Sequence, residues 1–125
     1  MAKIKSGNLT KAIQDVLEEY VEEVTEITKE TVDDVTKEAL KVVKKNAPVR
    51  TGQYKRSLKS KKQYESLTEK RNVIYAKDHG GLTHLLEYGH ATQNGGRTKA
   101  FPHFKYGNNY IEENLNKKIR KKLGG

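Results

Sequence analysis

Residues 8–46, NLTKAIQDVLEEYVEEVTEITKETVDDVTKEALKVVKKN, decide the fold. After Gly7 no Gly or Pro interrupts the chain until Pro48. Apolar side chains recur at helical spacing: Leu9, Ile13, Val16, Leu17, Tyr20, Val24 and Ile27, then Val35, Ala39 and Val42. The stretch therefore reads as one long helix. Asn8 or Thr10 is placed to cap its start. Pro48 ends it, because the residue before a proline avoids the helical region. At about 1.5 Å per residue the helix would run roughly 55 Å. That is longer than a chain of 125 residues needs for one domain. Between Thr10 and Val43, 14 residues are Val, Ile or Thr, which are stiff and only moderate helix formers. Such a helix depends on packing against something else. A break near Thr28–Val32 is the competing reading, and the apolar pattern is too irregular for a coiled coil.

The charges divide at the end of this helix. The whole chain holds 25 Lys+Arg against 16 Asp+Glu, a net charge of +9. Residues 1–46 hold 8 Lys and 10 acids, a net of −2, which leaves +11 for residues 47–125. An acidic element and a basic body point to self-association or nucleic-acid contact before catalysis. The plainer alternative is a solvated helix face with ordinary surface lysines. With 34% apolar and 33% charged residues, the core is thin for the length. There is no Cys, which excludes a disulfide scaffold, a thiolate metal site and a Cys nucleophile. No apolar run approaches the roughly 20 residues of a membrane span, and MAKIKSGN has no apolar signal core. A soluble, basic, partner-seeking single domain is expected.

Beyond the helix, Ala47-Pro48-Val49-Arg50-Thr51-Gly52 reads as a loop. Ser57–Glu65 alternates: Leu58, Ser60, Lys62 and Tyr64 share one side, Lys59, Lys61 and Gln63 the other, wet side. Arg71–Ala76 is a second strand, close enough for a hairpin. Leu82–Tyr88 reads as a short helix stopped by Gly89. Phe101–Phe104 reads as an edge strand, since Pro102 cannot donate to a ladder. Asn108–Leu123 reads as a C-terminal amphipathic helix with Tyr110, Ile111, Leu115, Ile119 and Leu123 on one face and cations at its end. The expected domain thus has a flexible start (residues 1–7), the long helix (8–46), a sheet with loops and a short helix (47–107), and a closing helix (108–123).

Catalytic readings find little support. His84-x-x-Glu87-x-x-His90 is not the H-E-x-x-H pattern, and Gly89 separates its two histidines. No nucleophile elbow and no phosphate-binding Gly loop is present. No metal, cofactor or catalytic residue is expected. The basic stretch is more informative: Arg56, Lys59, Lys61 and Lys62 are candidates for contact with DNA phosphates. A small, non-specific DNA-binding module is therefore the alternative function, because no base-reading motif accompanies them.

Asn46-Ala47-Pro48-Val49-Arg50-Thr51-Gly52, followed by Tyr54, Arg56, Ser57 and Leu58, resembles the A-P-V-x-T-G-x-L-x-x-S signature of a phage family. The family is that of the head–tail joining, or tail-completion, proteins of long-tailed double-stranded DNA phages. Tyr75-Ala76, then Leu82-Thr83-His84-Leu85-Leu86-Glu87-Tyr88-Gly89-His90-Ala91, is similar to its Y-x-L-T-H-L-L-E-x-G-H-A segment. Gly95-Gly96-Arg97 and Phe101-Pro102-His103 resemble its G-G-R-V…P-H segment. Tyr54 replaces a usual Leu, and Phe104-Lys105-Tyr106 a usual apolar–Pro segment.

The resemblance implies an α+β fold: a long N-terminal helix packed on a small, mostly antiparallel sheet of three or four strands, with a short helix and a C-terminal helix. It implies a structural virion protein without enzymatic activity, formed in the host cytoplasm and resident in the neck or tail. The implied assembly is a ring, six-fold, between the capsid connector and the tail tube. Its partners would be copies of itself, connector or stopper proteins, tail-terminator or tail-tube proteins, and passing genome DNA, with no membrane. The resemblance makes Pro48, Arg50, Thr51, Gly52, His84, Glu87, Gly89, His90, Arg97, Pro102 and His103 loop and interface determinants. In that reading His84, Glu87 and His90 hold the short helix against the 47–52 loop.

Overall fold

The computed structural model describes residues 6–49 and 52–124, with side chains from residue 9 onward. Helix α1 spans Ser6–Asn46 without a break. This is the single helix that the spacing predicts, and the break weighed as the competing reading near Thr28–Val32 is absent. There the hydroxyls of Thr28 and Thr31 donate back to the carbonyls of Val24 and Ile27, each at 2.7 Å, which keeps them inside the helix. At about 1.5 Å per residue α1 is ~60 Å long. Its first turns already include Ser6 and Gly7, which were expected to lie in a flexible start.

The chain then forms α2 (Gln53–Ser57), β1 (Leu58–Glu65), β2 (Lys70–Ala76), α3 (Gly80–Tyr88) and α4 (Phe104–Lys122). The fold is α+β, as the resemblance implied, but the sheet has two strands among the described residues, not three or four. Strands β1 and β2 pair antiparallel from Leu58↔Ala76 to Glu65↔Lys70. The register shifts between Lys62 and Tyr64, so Gln63 is an extra residue and the hairpin twists beyond it. Lys59, Lys61 and Gln63 are exposed, but so are Lys62 and Tyr64 of the other side, so the expected alternation holds only over Leu58–Ser60 and the rest of β1 is wet on both faces.

Two expectations fail for local reasons. Gln53–Ser57 is a short helix that the sequence reading did not contain, and it takes in Ser57, the expected strand start; Arg56 N–H donates to Gly52 O at 3.0 Å. Phe101–Phe104 is not an edge strand. The N–H of Phe101 is taken by Leu86 O at 2.7 Å, that of His103 by the Glu87 carboxylate, and Pro102 has none. Phe104 instead begins α4, which starts four residues earlier than its apolar pattern indicated.

The core is small and lies under the C-terminal half of α1. Val35, Ala39, Val43 and Ala47 recur every four residues and are buried, Val43 and Ala47 in one cluster with Tyr54, Leu58 and Ala76. Leu40, Leu86 and Phe104 close its edge. Helix α4 runs back along α1 and meets it closely at Gly107, which faces Val43 and Ala39. Three ion pairs mark where this cover ends: Lys29–Glu65 at 3.2 Å, Lys70–Asp33 at 2.7 Å and Lys122–Asp34 at 2.8 Å. Lys29 Nζ also donates to Ser66 O at the hairpin turn. N-terminal to these pairs, every residue from Leu9 to Glu23 is exposed.

Candidate functional site

The motif residues gather around a buried polar group. Glu87, near the end of α3, is 8% exposed, and His103 is fully buried. The Glu87 carboxylate accepts the N–H groups of His103 (3.0 Å), Phe104 (2.9 Å) and Lys105 (3.1 Å). These are otherwise unpaired donors at the start of α4, and a negative charge there also suits the helix dipole. Burial pushes the Glu87 carboxyl up. The three N–H donors and the nearby His103 ring outweigh it and hold the group below the ordinary glutamate range.

His103 ties this joint to the core. Its Nδ1 lies 2.6 Å from Phe101 O and 3.1 Å from Glu87 Oε1. A carbonyl oxygen only accepts, so Nδ1 carries a proton. Its Nε2 lies 2.6 Å from the Tyr54 hydroxyl, which also meets Thr83 Oγ1 at 3.0 Å. Burial raises the Tyr54 phenol above its usual value, so it stays a neutral bridge. One network thus joins α2, α3 and the start of α4 over the core. Tyr54 and Thr83 were not singled out from sequence as partners of His103. Tyr54 lies 49 positions from His103, and no local pattern signals the pair.

The other motif residues fall around this network. Pro48 and Gly52 line a cleft with Tyr54, His79, Leu82 and Leu86. Gly52 has φ +79°, a left-handed conformation that glycine adopts at no steric cost. Arg50 and Thr51 lie outside the described residues. Gly89 is fixed more tightly: its φ is +70°, and a Cβ there would sit 2.6 Å from Thr98 O. His90 is half-buried and pairs with Thr98 through its backbone, N–H to Oγ1 and C=O to N–H, both at 2.9 Å. Arg97 reaches Tyr88 O at 3.4 Å. Pro102 is half-buried beside Tyr88 and Phe104. His84 is exposed and touches only the Tyr88 ring among the aromatic contacts, at 5.1 Å. The Glu87 carboxylate meets the start of α4.

Of the DNA-contact candidates, Arg56 folds back over Gly52, and Lys62 pairs with Glu65 at 3.2 Å. Lys61 lies over the Tyr75 ring at 4.7 Å, and Lys59 is exposed on the same face of the hairpin. Among the described residues no group of three His, Asp or Glu is placed to hold a metal ion. No described helix is long and apolar enough to cross a membrane.

The second feature is the uncovered part of α1. Leu9, Ile13, Val16, Leu17, Tyr20 and Val21 are 50–65% exposed. Leu17 and Val21 also line a shallow cleft with Leu67, which is 91% exposed at the hairpin tip. A small body locked by a buried polar joint, with a bare apolar helix beyond it, presents the kind of exposed apolar surface that marks a contact with another protein. The chain belongs to the HK97-gp10-like family of phage tail components: residues 11–89, more than half of it, match the model described as "Bacteriophage HK97-gp10, putative tail-component". No curated protein and no solved structure matches the chain significantly. The family is one of structural virion components, and its members' partners are other virion proteins.

Proposed function

We propose that this tail component acts in the neck of the virion as a tail-completion protein. Its copies form a ring, six-fold, between the capsid connector and the tail tube. One observation carries the reading: an acidic helix with a bare apolar side projects from a basic body with a thin core. A chain of this kind is completed by neighbours, and contact between unlike surfaces on identical copies generates rings when the rotation closes. Genome DNA passes the ring without being read in sequence; Lys59 and Lys61 meet it by charge alone.

Deletion of the gene tests this. Electron micrographs of the deletion lysate should show filled heads and separate tails that fail to join. Infectious particles of normal form and number would overturn the proposal.

A further inference from the structure

We propose that the exposed arm of α1, residues 9–23, docks on the outer face of α3 in the next copy of this chain. This rests on the ring reading above and names the two surfaces that would build it. The arm offers the first surface. Leu9, Ile13, Val16, Leu17, Tyr20 and Val24 fall on one side at 3.6 residues per turn. That side continues into Thr31 and Val35, which the body buries. The same helix face is therefore covered in its second half and bare in its first, because the hairpin and α4 stop at Lys29–Glu65 and Asp34–Lys122. Glu19 and Glu23 border the bare strip, and the far side carries Asp15, Glu18, Glu22 and Glu26.

The second surface is apolar with a rim of opposite charge. On α3, Leu82, Leu85 and Tyr88 are 40%, 40% and 65% exposed. Phe101, 37% exposed, is pinned beside the last turn of α3 by its N–H bond to Leu86 O. Around this apolar patch stand cations. Arg97 is held at Tyr88 O, Lys99 lies over the Phe101 ring at 5.5 Å, and Lys105 follows at the start of α4. An acidic, apolar strip and a basic-rimmed, apolar patch are complementary, and one chain carries both. The occupant is therefore a second copy. Because the two patches differ, the contact is head to tail and repeats from copy to copy.

The chain has no Cys, so introduced thiols report this contact alone. Purified Ile13→Cys protein is mixed with Leu85→Cys protein under mild oxidation. Disulfide-linked pairs should form at least about tenfold faster than between Ile13→Cys and Lys117→Cys, the excess that held proximity gives over random collision. Adding Glu19→Lys and Glu23→Lys to the arm should remove that excess. Lys99→Glu and Lys105→Glu on the partner should restore it. All of these side chains except Ile13 and Leu85 are charged and exposed, and circular dichroism checks that each variant keeps its helix content.

Sedimentation of the same samples separates the two claims. Rings that form with no excess of 13–85 pairing overturn the docking and leave the ring reading standing. Pairing that stops at closed dimers supports the docking and overturns the ring. A protein that stays monomeric and unlinked, both alone and in purified virions carrying both thiols, overturns both.

Discussion

Gly107 sits where α4 meets α1, and a Cβ added there would collide with Val43 Cγ2 while lying 3.4 Å from Ala39 O. Gly107→Ala should cost about 1–3 kcal/mol, the usual penalty for overpacking. Combining it with Val43→Ala should recover part of that loss, although Val43→Ala alone destabilises; urea titrations of the three variants read this coupling. Glu87 makes a different kind of contact, and its effect is pH-dependent. Its carboxyl is held below the ordinary value of 4.5, so folding favours the charged form. That stabilisation is complete above pH 4.5 and is lost as the pH falls through the lower, folded value. Glu87→Gln should therefore lose about 1–3 kcal/mol at neutral pH. The gap between it and the native protein should narrow as urea midpoints are measured into acid. A constant gap at all pH values would contradict the charge-based account of this joint.

Among the elements, α1 behaves as two helices in one. Its second half is buried every fourth residue from Thr31 to Val43, and its first half touches little of its own chain. An isolated helix of that length with many β-branched residues is marginal in water. In the unassembled protein the amides of residues 9–23 should exchange with solvent orders of magnitude faster than those of residues 35–46. On assembly the first set should become protected, and mass spectrometry of peptic fragments measures both. Helices α1 and α3 and the hairpin were legible because their patterns are local: a 3.6-residue period in α1, alternation at the start of β1 and a Gly stop after α3; the five-residue α2 is too short to show a period. The start of α4 was not legible. Its first turn, Phe104–Gly107, carries a glycine and no helix-capping residue, and it is held by Glu87 from 17 positions away.

For the whole molecule, the net charge of +9 matters less than its division. If copies meet through the acidic arm and the basic rim of α3, assembly should weaken with salt. Sedimentation coefficients of the purified protein should fall between about 0.05 M and about 0.5 M salt, as the screening length shrinks to a few ångströms. An oligomer indifferent to salt would mean that apolar contact alone holds it. The sequence by itself determined the long helix, the hairpin, the division of charge and the family motifs, because each is written in residues close together along the chain. Only the tertiary structure decided where cover on α1 ends. That depends on the reach of α4 and of the hairpin, set by ion pairs spanning 36 to 88 positions. It also decided that Glu87 and His103 are a buried joint with Tyr54, since hydrogen bonds between distant segments leave no periodic trace in the sequence.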